Sequence, residues 1–114
     1  VPEPRFARAL ERMRSQDPAE REKGFDFLRE HADSYVDDLI TAFTQEPDPD
    51  FRCLLLELIA EARDPRALPV LTRHLDTPDP DDPLQFWAVR GLEMLDTPEA
   101  HRALTQARAQ GLIL

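Results

Sequence analysis

With 114 residues and a net charge of −9, from 23 Asp and Glu against 14 Lys and Arg, the chain has the size of one domain. It also has the wrong sign of charge to grip a nucleic-acid backbone or an anionic membrane surface, since both need clustered cations. Three glycines against eleven prolines, in a chain rich in Ala, Leu, Glu and Arg, argue for helices separated by proline-marked breaks.

In chain order, Phe6, Leu10 and Met13 share one helical face before the break Ser15-Gln16-Asp17-Pro18. Asp17-Pro18 reads as an N-cap followed by Pro at the first helical position. The next segment presents Phe25, Leu28 and Ala32, and stops where Asp33 or Ser34 offers a cap. Val36, Leu39, Ile40 and Phe43 make a third stripe, closed by Glu46-Pro47-Asp48-Pro49-Asp50. Phe51, Leu55, Leu58, Ile59 and Ala62 make the most apolar stripe, and Asp64-Pro65 signals a new helix. That helix carries Leu68, Leu71 and Leu75, with Pro69 either in its first turn or bending it. After the acidic turn from Asp76 to Pro83 come Leu84, Ala88, Leu92 and Leu95, then the cap Thr97-Pro98 and a last stripe of Ala100, Ala103, Leu104 and Ala107. The spacing predicts seven helices and no strand.

The pattern repeats. Leu39 and Leu71 lie 32 apart and Leu71 and Leu104 lie 33 apart, while in the alternate helices Arg21, Arg52 and Gln85 recur at offsets of 31 and 33. The chain divides into helix pairs at about 3–31, 33–62 and 64–95, with a closing helix at 97–110, in one domain spanning 1–114. One pair cannot bury the apolar stripes of both its helices, so successive pairs must stack. The Arg-rich first helix (Arg5, Arg8, Arg12, Arg14) and the Ala-, Gln- and Arg-rich last helix read as polar ends. The apolar Leu112-Ile113-Leu114 either folds back on the last pair or stays exposed as a sticky end, and the fold-back is preferred.

The run Asp64-Pro65-Arg66-Ala67-Leu68-Pro69-Val70-Leu71 resembles the opening of a first repeat helix in the HEAT-like repeat family, including the short version found in phycobilisome lyases. Phe51-Arg52 is similar to the apolar-Arg start of a second repeat helix. Trp87-Ala88-Val89-Arg90-Gly91-Leu92, followed by Asp96, looks like a second helix running into the next unit. The resemblance covers nearly the whole chain. It is clearest from about 48 to 107 and weakest in the first pair, where Gly24 and Phe25 depart from the small-residue pattern. It implies an all-α, α-solenoid superhelix of three hairpins plus a capping helix, with the second helices lining the concave side.

On that alignment the core stripe of the second helices is Gly24/Leu28, Leu55/Ile59 and Ala88/Leu92. The next stripe faces outward: Glu22, Asp26 and Arg29, then Glu57 and Glu61, then Phe86, Arg90 and Glu93. Such a mostly acidic groove with one aromatic at its end suits a basic protein surface or basic helix. The plainer reading is a solvated face that keeps the chain soluble. Phe86 and Trp87 are neighbours on a helix, so they cannot share one core; Trp87 is expected at a contact between repeats and Phe86 nearer the surface, as an aromatic anchor beside Arg90.

The sequence names no catalytic, cofactor or metal residue. The turn Asp76 to Asp82 lacks the Gly and closing Glu of a calcium loop. His31, His74 and His101 have no zinc spacing; the first two belong to last turns, and His101 aligns with Leu68 and is expected to be partly buried. Cys53, the single cysteine, reads as a buried or half-buried inert thiol, and it points to a cytoplasmic setting. No run approaches the ~20 apolar residues of a membrane span, and no signal peptide is visible. The expected function is therefore non-catalytic protein binding, by a monomer or by one that self-associates weakly through the C-terminal tail. An immunity- or inhibitor-type protein covering a basic toxin or nuclease, and a lyase-like enzyme or enzyme subunit, are the alternatives.

Overall fold

The computed structural model describes residues 3–77 and 82–114. It holds seven α-helices and, among the described residues, no strand: α1 (Pro4–Met13), α2 (Pro18–Glu30), α3 (Val36–Gln45), α4 (Pro49–Ala62), α5 (Leu68–Arg73), α6 (Pro83–Leu95) and α7 (Pro98–Ala109). The chain forms an elongated stack of 42 × 26 × 22 Å.

The prolines set the helix starts. Glu3, Asp17, Asp48, Asp82 and Thr97 each precede a Pro at the first helical position, and each side chain accepts a hydrogen bond from a backbone N–H of the first turn. The proline ring supplies the helical φ at a position that has no N–H partner to lose, while the cap satisfies a neighbouring donor. Two expected starts differ. Asp33 and Ser34 do not cap α3; they lie in a 3₁₀ turn, Ala32–Ser34, and Tyr35 stands at the cap position without a side-chain bond. Asp64 caps a 3₁₀ turn, Pro65–Ala67, rather than an α-helix, and α5 begins only at Leu68. Pro69 in the first turn of α5 explains the delay: its ring is compatible with a helix start but not with continuation of a helix begun at Pro65.

Helices α1 with α2, α3 with α4, and α5 with α6 pack as pairs, and α4 against α6 makes the closest junction between pairs. Helix α4 is the centre of the core. Phe51, Leu55, Leu56, Leu58, Ile59, Ala60 and Ala62 bury most of its circumference. The inner stripe is where the repeat places it, with Leu28, Leu55, Ile59, Ala88 and Leu92 all fully buried. Each such leucine is worth about 1.5–3 kcal/mol in removed apolar surface.

Two glycines let helices touch. A Cβ at Gly24 would lie 2.5 Å from the Ala9 carbonyl oxygen, so α2 crosses directly on the backbone of α1. At Gly91 a Cβ would meet Leu71 at 2.9 Å and the Ala60 Cβ at 3.0 Å, which marks the tight α4–α6 seam. The first seam is looser. Helices α1 and α3 do not close on each other, and an open cleft of about 650 Å³ remains, lined by Phe6, Leu10, Thr41 and Ala42, with Arg14 and Glu46 at its end.

One repeated position ties each pair together. The Arg21 guanidinium donates to the carbonyls of Ser15 and Gln16 at the end of the first helix. Arg52 does the same to Phe43 (2.6 Å) and Glu46 (3.2 Å), and stacks on the Phe43 ring at 4.0 Å. In the third pair the neutral Gln85 takes this role, donating to the Leu75 carbonyl at 3.1 Å. The last carbonyls of a helix have no partner within it, so a long donor from the following helix fixes the turn. Helices α4 and α6 then end on Arg63 and Asp96, both in the left-handed region at φ 51° and 54°.

Candidate functional site

The outward stripe of the second helices is not one continuous cluster. Glu22 and Asp26 are exposed on α2. Glu57 and Glu61, expected in solvent, are half-buried on α4. The reason lies in their neighbour: Arg29 reaches across from α2 to within 4.0 Å of Glu61 and leaves that carboxylate only 24% exposed. Burial raises the Glu57 carboxyl above the ordinary range; Arg29 opposes this and Glu61 adds to it. The middle of the face is therefore partly neutralised within the chain, and its exposed anions lie at the two ends, Glu22 and Asp26 on α2 and Glu93 on α6.

At the other end, Phe86, Arg90 and Glu93 come together on α6 beside residues 111–114 and line a cavity of about 450 Å³ with Val89, Leu112 and Ile113. Phe86 is 59% exposed. Trp87 is half-buried against the core, at the tight seam between α4 and α6. The two rings stand edge to face with centroids 5.1 Å apart, so the half-buried indole braces the exposed phenyl. Burial pushes the Cys53 thiol up, with Trp87 pulling the other way. A thiol held protonated is a weak nucleophile.

The Leu112-Ile113-Leu114 segment folds back. Gln85 donates to the Leu112 carbonyl at 2.8 Å, the Leu112 amide donates to the Ala107 carbonyl, and Arg108 Nε donates to the Leu114 carbonyl at 3.1 Å. Leu112 and Ile113 pack on the core, whereas Leu114 stays fully exposed. The sequence flagged Gln85 only as a repeat position. Its amide nitrogen serves both the α5 turn and this segment, through the Leu75 and Leu112 carbonyls.

Two further features differ from, or add to, the sequence reading. His101 is exposed rather than partly buried, because its ring turns outward to meet Asp96 at 2.5 Å. An ion pair that periodicity alone does not reveal joins the first two units: Arg14 to Glu46 at 2.6 Å, with the guanidinium also 4.0 Å over the Phe51 ring. Glu46 is 5% exposed. Arg14 holds its carboxyl below the usual range, burial opposes this, and the Asp48 amide assists. The near-repeat spacing of Arg14 and Glu46 was the one available signal. His74, edge-on to Phe43 at 5.2 Å, is kept below its ordinary value by burial and by Arg52. The central residues of the acidic turn, 78–81, lie outside the described residues. Among the described residues, no helix is long and apolar enough to cross a membrane.

Among the described residues the arrangement offers an exposed ring, a shallow apolar cavity and exposed anions on α2 and α6. The family model for HEAT repeats matches residues 36–111, which covers α3 to α7 and leaves out the first pair. No curated protein and no solved structure matches the chain.

Proposed function

The chain belongs to the HEAT-repeat family, and from that premise we propose that it is a non-catalytic protein-binding module whose second helices present an acidic face to a basic protein surface. HEAT repeats generally mediate protein–protein interaction, and stacked helix pairs give them an extended surface for it. The observation that carries the reading is Phe86. It is a large aromatic ring 59% in solvent, with a half-buried Trp87 edge-on beside it, and repeat alignment assigns it to the same outward stripe as Glu22 and Asp26. Aromatic anchors in a polar surround supply most of the energy at protein interfaces. Glu22 and Asp26, exposed and on the face of α2, supply the steering charge; Glu57 and Glu61 contribute less, because Arg29 already answers them.

The test begins with affinity capture of a partner by the tagged chain, followed by titration of the purified pair. Phe86→Ala should weaken binding by about tenfold or more, the scale of an interface hot spot. Glu22→Lys with Asp26→Lys should weaken it further and flatten its dependence on salt. Unchanged affinity in both variants, with both still folded, would move the binding site elsewhere.

A further inference from the structure

We propose that the cleft between α1 and α3 is a second docking site, for a short extended segment of a partner that carries an aliphatic side chain next to a lysine or arginine. The site lies on the first helices of the pairs, away from the stripe of Glu22 and Asp26. It therefore goes beyond the partner reading and does not depend on it.

The cleft is a trough bridged at both ends. The Phe6 and Tyr35 rings meet at 5.6 Å where α1 and α3 begin, and Arg14 meets Glu46 at 2.6 Å where they end. The two helices therefore run side by side in the same direction. Between those bridges they do not close, which leaves the open space of about 650 Å³. From Phe6 to Arg14 the helix rises roughly 12 Å, the length of about four residues of extended chain.

The floor of the trough is apolar. Phe6 is buried, and Leu10 and Ala42 are half-buried, so an aliphatic side chain seated there removes further apolar surface from water. The α3 wall carries Asp38, half-buried, with Thr41 and Gln45 exposed. Among the described residues Asp38 has no ion-pair partner. The cation on the α1 wall is already engaged: Arg14 holds Glu46 and lies 4.0 Å over the Phe51 ring. Arg12 turns the other way, to Glu20 of α2.

The distribution of charge selects the sign of the occupant. Residues 33–62 hold eight acidic side chains against Arg52 alone, a net −7 of the chain's −9, whereas residues 3–31 balance seven of each sign. A segment in the trough thus meets α3 as the anionic wall. A cation beside the aliphatic group answers Asp38, and a carboxylate there is repelled. Alternate side chains of an extended segment point opposite ways, so the aliphatic group faces the floor while its charged neighbour stays at the wet rim.

The test is an NMR titration of the isotope-labelled chain with an end-blocked tetrapeptide of alternating lysine and leucine, in about 0.15 M salt to screen long-range attraction. The amide shifts should saturate and centre on Phe6, Leu10, Asp38 and Ala42. Ala42→Trp, which fills the trough from a position already facing it, should weaken binding by about tenfold or more. Asp38→Lys should weaken it by about threefold, the scale of one exposed ion pair. Serine in place of the peptide's leucines should cost about tenfold, and glutamate in place of its lysines should cost at least as much as Asp38→Lys. Glu22→Lys with Asp26→Lys should leave the peptide's affinity unchanged, so failure here and failure of the partner reading are told apart. Shifts centred on the outward stripe of α2 and α4, equal binding of the serine or glutamate peptide, or indifference to both cleft variants in chains that keep the wild-type melt would overturn the proposal. So would shifts at the cleft that grow with protein concentration in the absence of peptide, because the occupant would then be a second copy.

Discussion

Gly24 and Gly91 are matched positions for a single experiment, because both sit inside helices at close crossings but meet different kinds of atom. Alanine in place of glycine gains about 1 kcal/mol of intrinsic helix preference at either site. At Gly24 the new methyl would stand 2.5 Å from the Ala9 carbonyl oxygen, 2.9 Å from Arg12 Cβ and 3.0 Å from the Met13 nitrogen. A carbon–oxygen contact normally opens to roughly 3.3 Å, so α1 must retreat by nearly an ångström, and no side-chain rotation can spare it. Displacing a packed helix costs near the upper end of the ~1–3 kcal/mol range for overpacked cores. The net expectation for Gly24→Ala is a loss of about 2 kcal/mol, or roughly 8 °C in Tm for a domain of this size. At Gly91 the nearest atoms are the Leu71 methyls at 2.9 and 3.0 Å and the Ala60 methyl at 3.0 Å. The Leu71 methyls can give by tenths of an ångström whereas the Ala60 Cβ moves only with α4, at a cost of about 1–2 kcal/mol, so Gly91→Ala should lie within about 1 kcal/mol of wild type. Urea and thermal unfolding followed at 222 nm measures both. If Gly24→Ala matches the wild-type chain, or Gly91→Ala is the worse of the two, the close approach of α2 to the α1 backbone is wrong.

Arg52→Leu removes the donor that closes the α3–α4 turn and leaves the Phe43 and Glu46 carbonyls unanswered, so it should cost about 2–3 kcal/mol; Arg52→Lys should recover only part, lacking the planar fork and the stacking on Phe43. Arg63→Gly should stabilise the fold by about 0.5–1 kcal/mol in urea melts, because a side chain at φ 51° carries a steric penalty that glycine does not. The two perturbed carboxyls should show opposite signs. Glu46 has a lowered folded value, so its contribution is complete above the ordinary carboxylate range and is lost as pH falls through that lowered value; the stability gap between wild type and Glu46→Gln should therefore narrow in acid. Glu57 has a raised value, so Glu57→Gln should stabilise the chain at neutral pH, and the gain should vanish as pH falls through the raised value toward the ordinary range. A pH series of urea melts reads both.

The helices were legible because their determinants are local. Apolar spacing and Asp-Pro or Thr-Pro starts act within one turn, and the buried rows Leu28, Leu55/Ile59 and Ala88/Leu92 followed from aligning the repeats. The misplaced start at Asp33 fails for a reason of the same kind: both cap-forming residues were present, but the chain used them in a 3₁₀ turn that lets Tyr35 tuck its ring against Phe6, 5.6 Å between centroids. The start at Asp64 fails because Pro69 vetoes continuity. The face was less legible. Sequence spacing places Glu57 and Glu61 on the outward stripe, but their half-burial depends on how closely Arg29 of the neighbouring helix approaches, which is a property of packing between units. His101 illustrates the same limit: its repeat position argued for the core, and a carboxylate five residues earlier drew it out. The exposure of Phe86 and the burial of Trp87 were readable because two adjacent rings on a helix cannot point the same way.

The unequal seams have a mechanical consequence. Between α4 and α6, glycine against alanine and leucine leaves no room to slide, so the spacing between Glu57 and Arg90 is fixed. Between the first and second units an open cleft remains, bridged by Arg14–Glu46 and Arg29–Glu61. Bending strain concentrates at that soft joint. Any bending of the stack would therefore fall first at that joint, and would change the distance of Glu22 and Asp26 from the other helices.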